Sequence, residues 1–352
     1  MVLATLGAHG GGFGVTLAAL SGTRYGTGTV GGLVDVSADR HGTRSETTGG
    51  FLPSDVGPSR PRLRVGVISA GRVGSVLGAA LHGVNHEVGA VAAVSDAALR
   101  RVDELLPTVP VRAPDEVARQ ADLVLLTVPD DALEGLVRGL AAAGALRSGQ
   151  IVVHTSGAHG VGVLEPAARL GALPVALHPA MTFTGKREDL ERLGTACMAV
   201  TARPDDEAGF NVGTALAVEM GTDPIRIPEE ARQLYHAALT HGANHLVTLV
   251  NECAQLLRSA GIEHTDRVLG PILSAALDNA LRYGDRALTG PVSRGDAGTV
   301  RAHLEVLEEA EPDTVAGYVQ LARRTAQRAV TSGVLRSDDA VGVHEVLDGG
   351  GR

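Results

Sequence analysis

Apolar and polar residues follow one another in the middle of the chain in a pattern that switches repeatedly between strand and helix. Short runs of consecutive apolar residues, typical of strands that are covered on both faces, are separated by segments with helical spacing. The predicted strands are 64–69, 86–94, 122–128, 150–155, 172–177, 196–201 and 223–227. The predicted helices between them include 73–81, 114–120 and 204–220. This alternation predicts an α/β fold with a doubly wound parallel sheet.

The pattern becomes entirely helical after Pro228. Long helices are predicted over 229–260 and 266–286, and further helices, separated by Pro312, over 295–332. The sequence therefore predicts a sheet domain followed by an all-α domain. The predicted organisation is an N-terminal extension at 1–61, a sheet domain at 62–228, a helical domain at 229–335 and a tail at 336–352. The extension is rich in Gly, Thr and Ser, and we expect it to be disordered or to lie upstream of the true start codon; we also expect the tail to be disordered.

A glycine-rich turn lies between the first strand and the first helix of the predicted sheet. The spacing Ser69-x-Gly71-x-x-Gly74 is one substitution short of the dinucleotide fingerprint, with Ser69 in place of the first glycine. A helix that begins at such a turn points N–H groups and its positive dipole end at one spot, which suits a pyrophosphate. An ordinary strand-to-helix turn is the alternative. The predicted cofactor contacts here are Ser69, Ala70, Gly71, Arg72, Val73 and Gly74.

The second strand ends where a Rossmann-type sheet contacts the cofactor ribose. The residues at this position are Ser95 and, little more than one helical turn later, Arg100 and Arg101. A hydroxyl and two guanidinium groups suit a 2′-phosphate, so NADP is predicted, with NAD as the other possibility. A solvated helix face is the alternative interpretation of the arginines. We expect the nicotinamide to lie over Val128 and Pro129.

Composition limits the classes of partner. The 352 residues carry a formal charge of −9 and 44 % apolar residues, which fits about two domains and argues against nucleic acid. The two cysteines, Cys197 and Cys253, lie far apart in apolar surroundings, so we expect buried free thiols and a cytoplasmic location. The apolar segment at 15–20 is too short to span a membrane. Lys186 is the only lysine, which excludes a catalytic lysine from the helical half.

One helix of the C-terminal half carries a polar stripe. His236, Thr240 and Asn244 recur every four residues among apolar neighbours and predict one wall of a cleft or a polar interface. His241 and His245 are also four apart. They lack an apparent third ligand, so we predict no metal and a solvated or interfacial pair.

Polar residues also follow several predicted strands and one helix. Ser156 and His178 come after strands whose carboxyl ends meet at the ligand-binding edge of such a sheet. Arg294 lies in the loop at 289–296, where a guanidinium next to glycine can bind a carboxylate bidentately. In the other interpretation this loop is a helix–helix turn with Asp296 as the N-cap of the next helix, and the two roles are compatible.

Six motifs in a fixed order give the chain a family resemblance. They are GVISAGRVGSVLG (66–78), TVPDDAL (127–133), VHTSGAHG (153–160), LHPAMTF (177–183), YHAALTHGANHLVTL (235–249) and LTGPVSRGDAGTV (288–300). From about 64 to 330 the chain resembles bacterial Rossmann-like proteins whose helical half is the domain of unknown function 2520. That family is similar in architecture to the 6-phosphogluconate dehydrogenase, β-hydroxyacid dehydrogenase and ketopantoate reductase group. The resemblance implies an NAD(P) domain, a helical domain that commonly forms homodimers, and a small carboxylate substrate.

The resemblance also implies a chemistry, with one departure. Members of that group use a lysine as acid/base near an asparagine, whereas this chain has Asn244 and no lysine there. We therefore expect His236 to protonate the alkoxide and Asn244 to orient the carbonyl, with His178 as the second candidate acid. Ser156 is expected near the reacting carbon, and Arg294 on the substrate carboxylate.

Three functions remain open at this stage. The first is NADPH-dependent reduction of a small 2-oxo acid such as ketopantoate. The second is reduction of a cyclic imine, as in pyrroline-5-carboxylate reductase, which also lacks a catalytic lysine. The third is a dinucleotide-binding sensor that kept the fold without the chemistry.

Overall fold

A computed structural model of the protein describes residues 2–9, 12–19 and 62–349. The first two ranges form strands β1 (Val2–His9) and β2 (Gly12–Ala19), which pair antiparallel. The sequence analysis predicted no element in this region, because the Gly, Thr and Ser content of 1–61 as a whole outweighed two short segments of strand-forming residues. The prediction of disorder for 20–61 lies outside the described residues.

Seven strands form the main sheet. Their bounds are β3 (Arg64–Ile68), β4 (Glu87–Ala92), β5 (Leu123–Leu126), β6 (Ile151–His154), β7 (Leu173–Pro179), β8 (Cys197–Thr201) and β9 (Asp223–Arg226). The spatial order is β4-β3-β5-β6-β7-β8-β9, and every neighbouring pair is parallel except β7 and β8. The antiparallel pair departs from the predicted parallel sheet, because apolar runs identify strands but not their direction. The carboxyl ends of β3, β5, β6 and β7 lie at one edge.

Helices cover both faces of this sheet. They are α1 (Arg72–Gly83), α2 (Asp96–Leu105), α3 (Pro114–Gln120), α4 (Asp130–Ala142), α5 (Glu165–Ala168), α6 (Glu188–Leu193) and α7 (Glu207–Glu219). Strand β5 shows why its sequence is apolar throughout. Leu123 and Leu125 enter the core on one face, while Val124 and Leu126 enter the core on the other. The predicted α/β fold with a doubly wound sheet and a helical C-terminal region is confirmed.

The C-terminal region consists of helices α8 (Arg232–Ser259), α9 (Thr265–Tyr283), α10 (Ala297–Ala310), α11 (Pro312–Thr331) and α12 (Ser337–Gly349). Pro312 occupies the first helical position of α11, where the missing N–H costs nothing. Helix α12 lies in the tail that was expected to be disordered. Its Ala340, Val343 and Leu347 are buried at helical spacing against the other helices, so the tail folds through 349, and 350–352 lie outside the described residues.

The chain divides into two compact units between Ala237 and Ala238. The sequence analysis placed the boundary at Pro228, where the pattern becomes helical. The difference arises because the start of α8 is bound to the sheet unit: Arg232, its first residue, and Glu229, just before it, both hydrogen-bond to the segment after β6. A change of pattern marks the start of helices but not the unit with which their first turn packs.

Two smaller findings concern the cysteines and the bilayer. Cys197 and Cys253 are both free, as predicted, but each is only partly buried. Within 62–349, no helix is long and apolar enough to cross a membrane.

Candidate functional site

The turn between β3 and α1 has an unusual backbone at its first residue. Ser69 lies in the left-handed region with φ 72°, a conformation in which glycine is normally found. The N–H groups of Ser69 and Ala70 both donate to the carbonyl of Ala92 on β4, at 3.0 and 2.9 Å. Thr127 Oγ1, just beyond β5, donates to the Ser69 carbonyl at 2.6 Å. Two neighbouring strands thus hold the serine in the position of the first fingerprint glycine.

The two glycines of the turn have different surroundings. A Cβ at Gly74 would lie 2.4 Å from Thr127 Oγ1 and 2.7 Å from the Ser69 carbonyl oxygen, so only glycine fits there. At Gly71 the nearest atom would be 3.9 Å away, which leaves open space over the turn. Gly74 is therefore needed for packing, while Gly71 leaves room for a ligand to approach the backbone.

Helix α1 presents an anion-binding end to this space. It begins at Arg72, its N-cap Gly71 has no side chain to cap it, and no acidic residue lies in its first turn. The first N–H groups of a helix have no acceptor within the helix, and the dipole makes this end positive. The turn and the start of α1 therefore fit the pyrophosphate of a dinucleotide.

Two arginines meet beside this turn. A Cβ at Gly185, in the loop between β7 and α6, would lie 2.5 Å from Arg101 Nε and 2.9 Å from Arg72 Cγ. Within 62–349, no carboxylate lies within ion-pair distance of either arginine. Arg100 is exposed, and Ser95 caps α2 by accepting from the Ala98 N–H at 3.2 Å. The structure thus brings Arg72 and Arg101 together, which the sequence did not predict, and two such cations suit a phosphate group.

A second cluster lies at the carboxyl ends of β6 and β7. His178 Nδ1 is 2.9 Å from the hydroxyl of Tyr235, and the ring centroids of His178 and His236 are 6.1 Å apart. Gly157 packs against both imidazoles, since its Cβ would lie 2.9 Å from His178 Nε2 and 2.6 Å from His236 Cδ2. The sequence analysis named both histidines and missed Tyr235 and Gly157. Tyr235 directly precedes His236 and is one of four tyrosines, which was the available signal.

His154, the last residue of β6, holds the loop that carries Gly157 through two hydrogen bonds. The Ser156 N–H donates to His154 Nδ1 at 3.2 Å, so Nδ1 is the acceptor and Nε2 carries the proton that is donated to the Gly160 carbonyl at 2.9 Å. Ser156 itself is buried, and its Oγ accepts from the His159 N–H at 3.0 Å. Burial lowers the pKa of His154 to about 3. Both side chains shape the loop, and the predicted place of Ser156 near a reacting carbon stays a prediction.

Two residues near the start of α8 also hold this loop by hydrogen bonds. Arg232 donates from Nε to the His159 carbonyl at 2.9 Å and from Nη2 to the Ser156 carbonyl at 2.8 Å. The Glu229 carboxylate accepts from the Val161 N–H at 2.7 Å. The sequence analysis missed both, because neither belongs to a recognisable motif.

The electrostatic setting keeps the His178–Tyr235 pair uncharged at neutral pH. Burial, followed by the charge of Arg232 and by His236, lowers the pKa of His178 to about 4, while Asp130 acts in the opposite direction. Burial also raises the pKa of the Tyr235 hydroxyl. The pair is therefore a neutral imidazole hydrogen-bonded to a neutral phenol.

The remaining predicted residues lie elsewhere. Val128 and Pro129 follow β5, with Val128 packed against the core and Pro129 exposed as the N-cap of α4. Asn244 and Arg294 belong to the second unit, where both are exposed, and their roles stay predictions. The capping role of Asp296 is confirmed, since it accepts from the Thr299 N–H at the start of α10.

The histidine pair on α8 is exposed. His245 Nδ1 lies 2.8 Å from His241 Nδ1. In the part of the chain that the structure describes, no group of three or more metal-ligand side chains is present.

Comparison with known families agrees with this architecture. The Rossmann-like domain matches residues 49–179, and the domain of unknown function DUF2520 matches residues 196–325. The chain thus combines a Rossmann-like domain with a C-terminal DUF2520 domain. No protein of curated function matches this DUF2520 protein in sequence.

Solved structures share the fold at low identity. A protein of Bacteroides fragilis, provisionally described as an NADP oxidoreductase, is 22 % identical with a TM-score of 0.64, covering 76 % of this chain and 98 % of its own. An imine reductase from Pseudomonas sp. is 17 % identical with a TM-score of 0.53, covering 78 % and 99 %. Pyrroline carboxylate reductase of Plasmodium falciparum, solved with NADP bound, is 11 % identical with a TM-score of 0.50, covering 80 % and 98 %. These likenesses show that the fold is shared.

Proposed function

We propose that this DUF2520 protein is an NADPH-dependent reductase of a small carbonyl compound. The observation that carries the proposal is the His178–Tyr235 hydrogen bond against Gly157, at the same sheet edge as the β3–α1 turn. Ligands of open α/β sheets bind at this edge, so one substrate can meet both the cofactor and a proton donor. The predicted homodimer and cytoplasmic location stay predictions.

Binding of the cofactor is assigned to residues at the ends of β3, β4 and β5. The N–H groups of Arg72, Val73 and Gly74 would hold the pyrophosphate, and Val128 with Pro129 would lie beneath the nicotinamide. When bound, NADPH supplies the hydride. The protein then has to orient the substrate and deliver one proton to the oxygen that becomes negatively charged.

His178 is the proposed proton donor. With the Tyr235 O–H donating to Nδ1, the proton of the neutral imidazole resides on Nε2, the atom beside Gly157. Transfer of that proton to the alkoxide breaks the Nε2–H bond and forms the product O–H bond, while the Tyr235 proton passes to Nδ1. The tyrosinate left behind regains a proton from water, and the nearby positive charge of Arg232 favours it meanwhile.

The geometry therefore favours the second of the two predicted acids. His178 has a hydrogen-bonded relay partner, whereas the sequence analysis preferred His236. His236 also packs against Gly157 and would form a wall of the reacting site. The roles that the sequence predicted for Asn244 and Arg294, which belong to the second unit, stay predictions.

The preference for NADPH rests on Arg72 and Arg101. Both side chains pack at Gly185, neither has a carboxylate partner among the described residues, and a 2′-phosphate would neutralise their charges. NAD has no 2′-phosphate and would leave these charges unneutralised.

Cyclic imines are the second candidate substrates. His178 is uncharged at neutral pH and is thus a weak acid, whereas a protonated imine brings its own proton and needs only hydrogen-bond acceptors. Two proteins of the same fold are described as an imine reductase and a pyrroline carboxylate reductase.

Steady-state oxidation of NADPH tests these proposals. Purified protein is assayed with ketopantoate and with pyrroline-5-carboxylate, with NADH as the cofactor control and with His178→Gln and His236→Ala as site variants. Turnover of ketopantoate that falls at least about a hundredfold in His178→Gln supports the carbonyl reductase. Turnover of pyrroline-5-carboxylate that survives this substitution supports the imine reductase. Tight NADPH binding with neither reaction favours a sensor and contradicts both.

A further inference from the structure

Arg232 is a buried cation that binds main-chain carbonyls. Its side chain is only 1 % exposed, and within the described ranges no acid lies within ion-pair distance of it. Two of its donors reach main-chain carbonyls, and among the described residues Nη1 has no hydrogen-bond partner. Burying a guanidinium is unfavourable unless it is fully paired, so an arginine at this position calls for a functional explanation.

The carbonyls that Arg232 binds flank the glycine that contacts both histidines. Ser156 and His159 are the ends of the loop, and Gly157 between them contacts both His178 and His236. Tyr235 and His236 follow Arg232 on α8 at intervals of three and four residues, so all three side chains lie on one helical face. One guanidinium therefore ties the loop to the turn that supplies Tyr235 and His236.

We propose that Arg232 is a positioning residue for the proton-transfer pair. Its fork fastens the Ser156–His159 loop to the first turn of α8, and its positive charge adds to burial in disfavouring the imidazolium form of His178. The proposal rests on the proposed function for its effect on turnover. The effect of Arg232 on the titration of His178 is a property of the free protein and can be measured without a substrate.

Several charged and titratable groups surround His178, and they determine how each Arg232 variant should change its pKa. Arg232, Tyr235 and His236 face it from α8, and Asp130 faces it from the start of α4. Arg232 and a charged His236 disfavour the imidazolium, whereas Asp130 favours it. Removing the Arg232 charge leaves Asp130 less opposed, so His178 becomes easier to protonate. Replacing the guanidinium with an ammonium keeps the charge and loses the two-carbonyl fork.

The test compares Arg232→Lys and Arg232→Met by imidazole ¹⁵N NMR titration of the full chain, with His178→Gln used to assign the signal. Arg147→Met is the matched control, since Arg147 also donates to a main-chain carbonyl, that of Ala121, at 3.0 Å. We expect the His178 pKa to rise by about one unit or more in Arg232→Met and to stay at the parent value in Arg232→Lys and Arg147→Met. NADPH turnover should fall about tenfold or more in both Arg232 variants.

Two results would overturn the proposal. An unchanged His178 titration in Arg232→Met would make Arg232 merely structural, and unchanged turnover in both variants would remove its positioning role. If Arg232→Met does not fold, Arg232→Gln, which can still donate to one carbonyl, replaces it. If the parent protein shows no turnover with any substrate, the proposed function fails, and the titration still decides the effect on His178.

Discussion

The hydroxyl of Thr127 donates to the carbonyl oxygen of Ser69 at 2.6 Å, and these same two oxygens lie where a side chain at position 74 would have to go. One contact therefore fixes three positions, which are Ser69 in the turn, Thr127 after β5 and Gly74 in α1. Because Ser69, Gly71 and Gly74 have different surroundings in this turn, substitutions can test their contributions separately.

Gly71 and Gly74 should respond differently to alanine. Gly74→Ala places a methyl 2.4 Å from Thr127 Oγ1 and should destabilise the fold by about 1–3 kcal/mol. Gly71→Ala meets nothing closer than 3.9 Å and should leave stability nearly unchanged while weakening NADPH binding. Urea unfolding and titration calorimetry measure the two effects. Normal NADPH affinity in Gly71→Ala would identify an ordinary strand-to-helix turn.

Ser69 should tolerate glycine and reject a β-branched residue. Because φ is 72°, Ser69→Val should lose about 1–3 kcal/mol of unfolding free energy, whereas Ser69→Gly should equal or exceed the parent. Asn85, with φ 73°, is the comparison site, since asparagine accepts this region and Asn85→Gly should change stability little. Equal losses in both Ser69 variants in urea unfolding would show that the serine hydroxyl, and not the backbone conformation, is what the position requires.

The relay predicts non-additive kinetics. Tyr235→Phe removes the hydroxyl that hydrogen-bonds His178 and should lower kcat about 10- to 100-fold with unchanged NADPH affinity. The double variant His178→Gln/Tyr235→Phe should be no slower than His178→Gln alone, because both residues act in one step. Multiplying effects in the same steady-state assay would mean that the two residues act independently.

Arg101 should distinguish NADPH from NADH. Arg101→Gln is expected to weaken NADPH binding about 10- to 100-fold and to leave NADH binding unchanged, because only NADPH carries the 2′-phosphate. Binding of 2′,5′-ADP by calorimetry isolates that group, and Arg138→Gln on α4 serves as a surface control. A loss at Arg100→Gln in place of Arg101→Gln would assign the phosphate contact to the other arginine that the sequence predicted.

Stability should decline in mild acid. The pKa of His178 is lowered to about 4 and that of His154 to about 3, whereas both imidazoles return to about 6.5 on unfolding. The unfolded chain therefore binds more protons below pH 6.5, so the free energy of unfolding decreases as the pH falls from about 6.5 to about 4, and continues to fall to about 3 because of His154. Thermal melts across this range, with His178→Gln as comparison, should show a smaller decline in the variant. An identical decline would assign the effect to other groups.

Much of the candidate site was predictable because it is encoded locally. The spacing from Ser69 to Gly74 specified the turn, and the ends of apolar runs located Ser156 and His178 at the sheet edge. The pairing of Arg101 with Arg72 was not predictable, since it depends on where the loop at Gly185 lies. Arg232 binds the carbonyls of His159 and Ser156, which precede it by 73 and 76 positions in the sequence. No periodic sequence pattern indicates contacts over such separations.

The sequence by itself determined the elements whose cause is local. Helix α3 begins and ends at the predicted residues, and Pro312 starts α11, because proline and capping preferences act within a few residues. The tertiary structure alone decided the direction of β8, the attachment of the first turn of α8 to the sheet unit, and the meeting of His178 with Tyr235, 57 residues later. Those outcomes depend on which surfaces bury one another, and that choice is made by the whole chain at once.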